Sequence, residues 1–428
     1  MPATTTATLR FHNHHNFSSA VLRNASRLAA AVVRSAPVLV RRYLRHLATL
    51  ILLYIMYLRR KSVPGMVLYI ALWSIPQRVL ARLTGTCAAP KELDTFTAAI
   101  INGLSWVTEG TTIEHLFEVK RSLAFHSYLD GMKARFMGAK FSKVSKTAEW
   151  PVEGVWIAEE WNHIPWVSDT LPHDTYTGNM DDLVVFFFIH GGAYCFSTSE
   201  YASSHHYELM KSFNARESKS GRNKRLVVFS LEYPLAPEHK FPAQVHVAAD
   251  AYKWLVSKVG AKNIIIGGDS AGGHCTISLM NNIAATPELS SLPVQPCGNI
   301  YFSPWVHAPT SWDTNAKHDI ISMLGLRFTD KLVFGHLPSK TNDILEIPAE
   351  DFNIAEKGTL VIYGGSEILS DGIERFVALL KTRKMDVPVP KSVTPINPPM
   401  FNSVSMTLST PALATHPSTS STVAILAP

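Results

Sequence analysis

Asn263-Ile264-Ile265-Ile266-Gly267-Gly268-Asp269-Ser270-Ala271-Gly272-Gly273-His274 is the stretch from which the fold of this 428-residue chain can be read. Its first half is a short apolar run of β-branched residues, the composition of a buried strand. Its second half is a cluster of small residues leading into Gly272 to Ala284, a segment with helical spacing. A serine hydroxyl is a weak nucleophile unless it is exposed, held in geometry and paired with a base. A turn from strand to helix supplies the first two. In the motif Gly268-Asp269-Ser270-Ala271-Gly272, the residues Gly268 and Gly272 let that turn close without clash. The helix N-terminus adds a field that favours negative charge beside Ser270, and the Ala271 N–H lies where an oxyanion would develop. Ser270 is the candidate nucleophile.

Working outward, similar apolar runs occur at Val152 to Ile157, Leu183 to Ile189 (LVVFFFI), Arg225 to Leu231 (RLVVFSL), Asn299 to Phe302 and Thr359 to Tyr363. Runs apolar on both faces belong to a parallel sheet covered by helices on each side. Helical patterns fill the intervals at Ser203 to Phe213, Gln244 to Val259 and Gly372 to Lys384. The expected core is a mostly parallel, doubly wound α/β sheet. Residues 93–146 mix apolar and polar residues at helical spacing and read as two or three helices. His190-Gly191-Gly192-Ala193-Tyr194 follows the LVVFFFI strand, where an α/β hydrolase carries its oxyanion-hole loop. Gly191, Gly192 and Ala271 are the expected N–H donors, with His190 bracing the loop rather than acting as the base.

These motifs carry a resemblance. HGGAY at 190–194, the run Tyr233-Pro234-Leu235-Ala236-Pro237-Glu238-His239-Lys240-Phe241-Pro242-Ala243, and GDSAGG at 268–273 resemble the hormone-sensitive-lipase-like α/β-hydrolase family over roughly Thr95 to Pro388. With its basic leader, the chain is most similar in style to fungal membrane-anchored steryl acetyl hydrolases. The resemblance implies serine-dependent hydrolysis of a small, apolar ester, with a helical cap at 91–150 over an α/β core at 151–388. It implies no metal and no organic cofactor. It also implies an acidic triad member a few residues past a late strand, which places Glu367 in that role and leaves Asp371 as the alternative.

One member of the expected triad is missing. Allowing about 12 residues of helix, about six of strand and short loops after Glu367, the base should fall near 390–400. No histidine stands there. His416 lies in a tail, 389–428, that is rich in Pro, Ser and Thr, carries Lys391 as its sole charge and reads as disordered. Three possibilities follow. The chain is an esterase with an unrecognised base; it is a ligand-binding member of the family, as the gibberellin receptors are; or its C-terminal segment is incorrectly joined.

Charge partitions the rest. The net +6 is the sum of an acid-free leader, residues 1–90, with 12 Arg/Lys, and a remainder with 28 basic against 34 acidic residues. A basic excess confined to a leader, with no zinc-finger or RNP-like motif, argues against nucleic-acid binding. The leader combines a basic amphipathic stretch with apolar segments within about 40–76, the first of them Leu47 to Leu58. Those 12 residues fall short of the roughly 20 that a bilayer crossing needs, unless flanking arginines snorkel. The expectation is attachment to a membrane, the endoplasmic reticulum favoured, with a mitochondrial transit peptide as the rival. The four cysteines show no metal-binding or disulfide spacing.

Overall fold

The computed structural model describes residues 113–165, 176, 178–307, 319, 321–337, 344–346, 358–365, 367–382 and 391–392. All of them lie in the second of two units, Ile70–Pro428. The leader, the anchor expected at 40–76 and the tail after Ser392 with His416 lie outside the described residues. Among the described residues, no helix is long and apolar enough to cross a membrane.

Eight strands form one sheet in the order β1-β2-β4-β3-β5-β6-β7-β8. They are β1 (Lys140–Val144), β2 (Gly154–Ala158), β3 (Leu183–Ile189), β4 (Arg225–Leu231), β5 (Asn263–Asp269), β6 (Gly298–Phe302), β7 (Thr359–Gly364) and β8 (Lys391–Ser392). From β4 across to β8 every pairing is parallel. The edge pair β1 and β2 runs antiparallel, and β2 is antiparallel to β4. The helices are α1 (Ile113–Phe136), α2 (Ser203–Lys219), α3 (Ala243–Trp254), α4 (Ala271–Ala285), α5 (Pro287–Ser290), α6 (Met323–Phe334) and α7 (Ser370–Thr382).

The central run LVVFFFI is continuous in apolarity because it serves two cores at once. All seven of its residues are buried. Val185, Phe187 and Ile189 pack into one cluster with Phe229, Trp254 and Ile277, whereas Val184, Phe186 and Phe188 pack into the other with Tyr207, Met210 and Phe213. Alternation with a period of two sends successive side chains to opposite faces, so a doubly covered strand must be apolar throughout. β4 and β7 divide in the same way.

One reading of the sequence needs correcting. Residues 93–146 read as helical throughout, but Lys140–Val144 is a strand that joins the sheet beside β2. The helical pattern stops at Gly138, which sits at φ 111°. Its N–H reaches Arg135 O at 3.0 Å, and the Ala139 N–H reaches Ala134 O at 3.0 Å. This paired closure ends a helix through a left-handed residue that glycine adopts at low cost. The sheet therefore begins before residue 151. Helix α1 is fastened to the segment leading into α2: Arg135 forms a two-pronged ion pair with Glu200 at 2.9 Å, the Ser204 hydroxyl and N–H donate to Asp130, and Ser127 meets Ser197 at 3.2 Å.

Candidate active site

Ser270 alone makes the turn between β5 and α4. Its backbone stands at φ 50° and ψ −117°, a combination that residues with a side chain rarely adopt. Three hydrogen bonds hold it there. The Ser270 N–H donates to Phe302 O at 2.9 Å, and its carbonyl accepts from the N–H groups of Trp305 at 2.9 Å and His274 at 3.1 Å. The first turn of α4 is pressed against the end of β3 so closely that a Cβ at Gly272 would lie 2.0 Å from Ile189 O. The expectation for Gly272 is thus met by a backbone contact that leaves no room for a side chain.

That contact places the next loop beside the nucleophile. After β3 the chain passes through three successive left-handed residues, Gly192 at φ 102°, Ala193 at 51° and Tyr194 at 59°. Gly192 O accepts from the N–H groups of Cys195 and Phe196, both at 2.9 Å, which closes the loop on itself. Gly191 does not play the part the sequence suggested. Its N–H donates to Asp269 Oδ1 at 2.6 Å and is therefore committed within the protein. The N–H groups of Gly192, Ala193 and Ala271 make no hydrogen bond to another described residue. Ala193 was not anticipated, because within this loop only the two glycines were read as donors. Burial pushes the Asp269 carboxyl up to about 7, partly offset by the Gly191 N–H and the Tyr201 hydroxyl. His190 is a brace, as its position implied. It is fully buried, stacks on Tyr233 at 4.1 Å and donates from Nδ1 to Gly191 O at 2.8 Å. Burial lowers its pKa and keeps the ring neutral.

Glu367 lies on the loop after β7 and is buried. Its Oε1 accepts from the Ser303 hydroxyl at 2.7 Å and from the Gly364 N–H at 2.8 Å. Ser303 is the neighbour of Phe302, whose carbonyl holds the Ser270 N–H, so the end of β6 links Glu367 to Ser270. Asp371 is exposed in the first turn of α7, so of the two acids Glu367 is the one built into the structure. Ser303, at φ 42°, was missed in the sequence. Its position at the tip of a parallel strand, where functional side chains collect, was the available signal.

A protein-family model described as alpha/beta hydrolase fold matches residues 186–394. These residues, just under half of the chain, include the HGGAY and GDSAGG motifs. An esterase of Acinetobacter venetianus is 31% identical over 199 residues, 44% of this chain and 59% of that protein. Arylacetamide deacetylase of Bos taurus is 32% identical over 110 residues, 24% of this chain and 25% of that protein. The chain thus spans less than two thirds of either curated relative. The crystal structure of the esterase LipW from Mycobacterium marinum superposes with a TM-score of 0.50 at 16% identity, covering 66% of this chain and 81% of that one, which is a likeness of fold.

Within this α/β-hydrolase domain, Ser270 Oγ makes no hydrogen bond to any described residue. The buried histidines are occupied elsewhere. His274 bonds Tyr194 OH at 2.8 Å from Nδ1, and His206 stands edge-on to Phe188 at 4.2 Å, with its pKa pushed down to about 3 by burial and by neighbouring His205. The short strand β8 takes its place beside β7, and the residues after it lie outside the described set. Among the described residues, no group of three or more His, Cys, Asp or Glu could hold a metal ion. Cys195 and Cys275 are buried and pushed up to about 12 by that burial, so both stay as thiols.

Proposed function

We propose that the chain is a serine carboxylic-ester hydrolase that forms an acyl-enzyme on Ser270 and acts on small, largely apolar esters. The observation that carries this reading is the left-handed backbone of Ser270 at the β5–α4 junction, beside the uncommitted amides of Gly192, Ala193 and Ala271. Ser270 Oγ would attack the acyl carbon and pass its proton to a base, while the carbonyl oxygen gains charge between those amides. The alcohol then leaves with a proton, and water cleaves the acyl-enzyme. Glu367, fixed by Ser303 and Gly364, is the acid that would orient the base. No described histidine hydrogen-bonds Ser270 Oγ, and His416 is the sole histidine C-terminal to Glu367. Acetyl and other short acyl groups are assigned by analogy with the deacetylase relative. On sequence alone, residues 1–90 are assigned to a membrane, the endoplasmic reticulum in preference to the mitochondrion; subcellular fractionation of the tagged protein tests this, and recovery wholly in the soluble fraction would refute it.

The test of catalysis is hydrolysis of p-nitrophenyl acetate and butyrate by the protein and by Ser270→Ala, with mass spectrometry after treatment with diethyl p-nitrophenyl phosphate. Turnover and one added diethylphosphoryl group on Ser270, both lost in the variant, are expected. A second reading, a ligand-binding protein that keeps the site without turnover, is favoured by the absence of a histidine at 390–400 and of any hydrogen bond from Ser270 Oγ to a described residue. Equal background rates in both proteins, no adduct and saturable binding of the ester would establish it and sink the first.

A further inference from the structure

We infer that Asp269 is the positioning residue of the oxyanion loop: its carboxyl group, clamped between Gly191 and Tyr201, fixes the orientation in which the Gly192 and Ala193 amides face Ser270. The inference rests on the hydrolytic reading above and assigns the residue before the nucleophile a role in that chemistry.

Asp269 is the last residue of β5 and pairs with Phe302 of β6, so its backbone is part of the sheet and cannot drift. Its side chain turns toward the end of β3. Oδ1 accepts the Gly191 N–H at 2.6 Å, and the Tyr201 hydroxyl bonds the same carboxyl group. There is no slack on this side of the loop, since a Cβ at Gly191 would meet Asp269 Oδ2 at 2.3 Å. The far side of Gly191 is fixed as well. Its carbonyl accepts from His190 Nδ1 at 2.8 Å and from Tyr233 OH at 3.2 Å, and Tyr233 OH also donates to His190 O at 2.7 Å.

A trans peptide is planar, and its C=O and N–H point in opposite directions. Holding the Gly191 carbonyl inward against His190 and Tyr233 therefore turns the Gly192 N–H outward. Asp269 holds the preceding peptide by its N–H, so the two consecutive planes around Gly191 are each pinned by a buried side chain. Gly192 and Ala193, both left-handed, follow directly from that fixed point. Downstream, the loop is pinned again where Glu232 Oε2 accepts the N–H and hydroxyl of Ser199, both at 2.7 Å. Between these two anchors the Gly192 and Ala193 N–H groups make no hydrogen bond to a described residue, the preorganised arrangement in which a donor is worth most to a developing oxyanion.

The test compares the full chain with Asp269→Ala and Asp269→Asn by hydrogen exchange of peptides covering 189–199 and by the rate of Ser270 phosphorylation with diethyl p-nitrophenyl phosphate. In D269A the hydrogen-bonded amides of Gly191, Cys195 and Phe196 should exchange at least about tenfold faster, and phosphorylation should slow by roughly 100-fold, the size of losing one oxyanion donor. D269N retains an oxygen that can accept the Gly191 N–H and should lose only about tenfold in phosphorylation. It also carries the test if D269A does not fold. Wild-type exchange in these variants, a loosened loop with an undiminished rate, or a D269N no better than D269A would each overturn the clamp. If the wild-type protein is itself not phosphorylated, the hydrolytic reading fails, and the exchange measurement still decides whether Asp269 holds the loop.

Discussion

Gly272→Ala tests the joint between nucleophile and oxyanion loop with a single methyl group. The added Cβ would lie 2.0 Å from Ile189 O and 2.6 Å from His190 O, against ordinary contact beginning near 3.4 Å. The first turn of α4 and the end of β3 must therefore separate by about 1.4 Å along that line. Neither side gives easily. β3 is hydrogen-bonded on both edges, and the first turn of α4 starts from Ser270, which Phe302 and Trp305 hold. Overpacking of this kind costs about 1–3 kcal/mol, which in a domain of this size lowers Tm by roughly 3–10 °C. The functional loss should be larger than the stability loss, because the displaced atoms are the hinge of the oxyanion loop. A misplacement near 1 Å costs on the order of 100-fold in rate. Phosphorylation of Ser270 measured beside thermal unfolding gives both quantities. Gly221→Ala is the control: its Cβ would meet nothing within 4 Å, and only its φ of 72° opposes the change. It should cost about 1 kcal/mol and leave Ser270 reactivity intact. A G272A protein with wild-type Tm and wild-type phosphorylation would refute the close-approach argument.

Ser303→Ala removes a hydrogen bond from the buried Glu367 carboxyl and should cost about 1.5–3 kcal/mol; an unchanged Tm would show that the bond does not anchor the acid. Glu367→Gln should slow ester turnover at least about 100-fold by losing the charge that orients the base, while Asp371→Ala, at an exposed position, should stay within about twofold of wild type; the reverse ranking would move the acid to Asp371. His206 supplies a pH test. Burial holds its pKa at about 3, whereas in the unfolded chain it titrates near 6.5, so the unfolded state binds more protons between those values. Its contribution is complete above about pH 6.5 and is lost as pH falls through that window, by up to roughly 2 kcal/mol at pH 5. In His206→Phe the difference in Tm between pH 7.5 and pH 5 should shrink, and an unchanged difference would show that His206 is not what destabilises the protein in acid.

The elements that could be read without coordinates are those in which a local rule and the global fold agree. LVVFFFI announces a strand with two cores, because period-two alternation sends its residues both ways. GDSAG announces the elbow, because only small residues permit the approach now seen at Gly272. Glu367 followed from its place after β7. The strand Lys140–Val144 escaped because edge strands carry a weak signal and its polar residues resemble the adjacent helix. The role of Gly191 escaped for a different reason. A glycine that could donate to an oxyanion and one whose N–H is already used by a carboxylate 78 residues away have the same sequence.

The sequence by itself determined the α/β order, the candidate nucleophile, the candidate acid and the absence of a histidine at 390–400, since each depends on residue type, spacing along the chain and strand periodicity. Which amides remain uncommitted, that Ser303 carries the link between Glu367 and Ser270, and that Asp269 grips the oxyanion loop were decided only by the tertiary structure. Those facts depend on the direction of individual N–H and carboxyl groups brought together from β3, β5, β6 and β7, and direction in space is what a linear pattern does not encode.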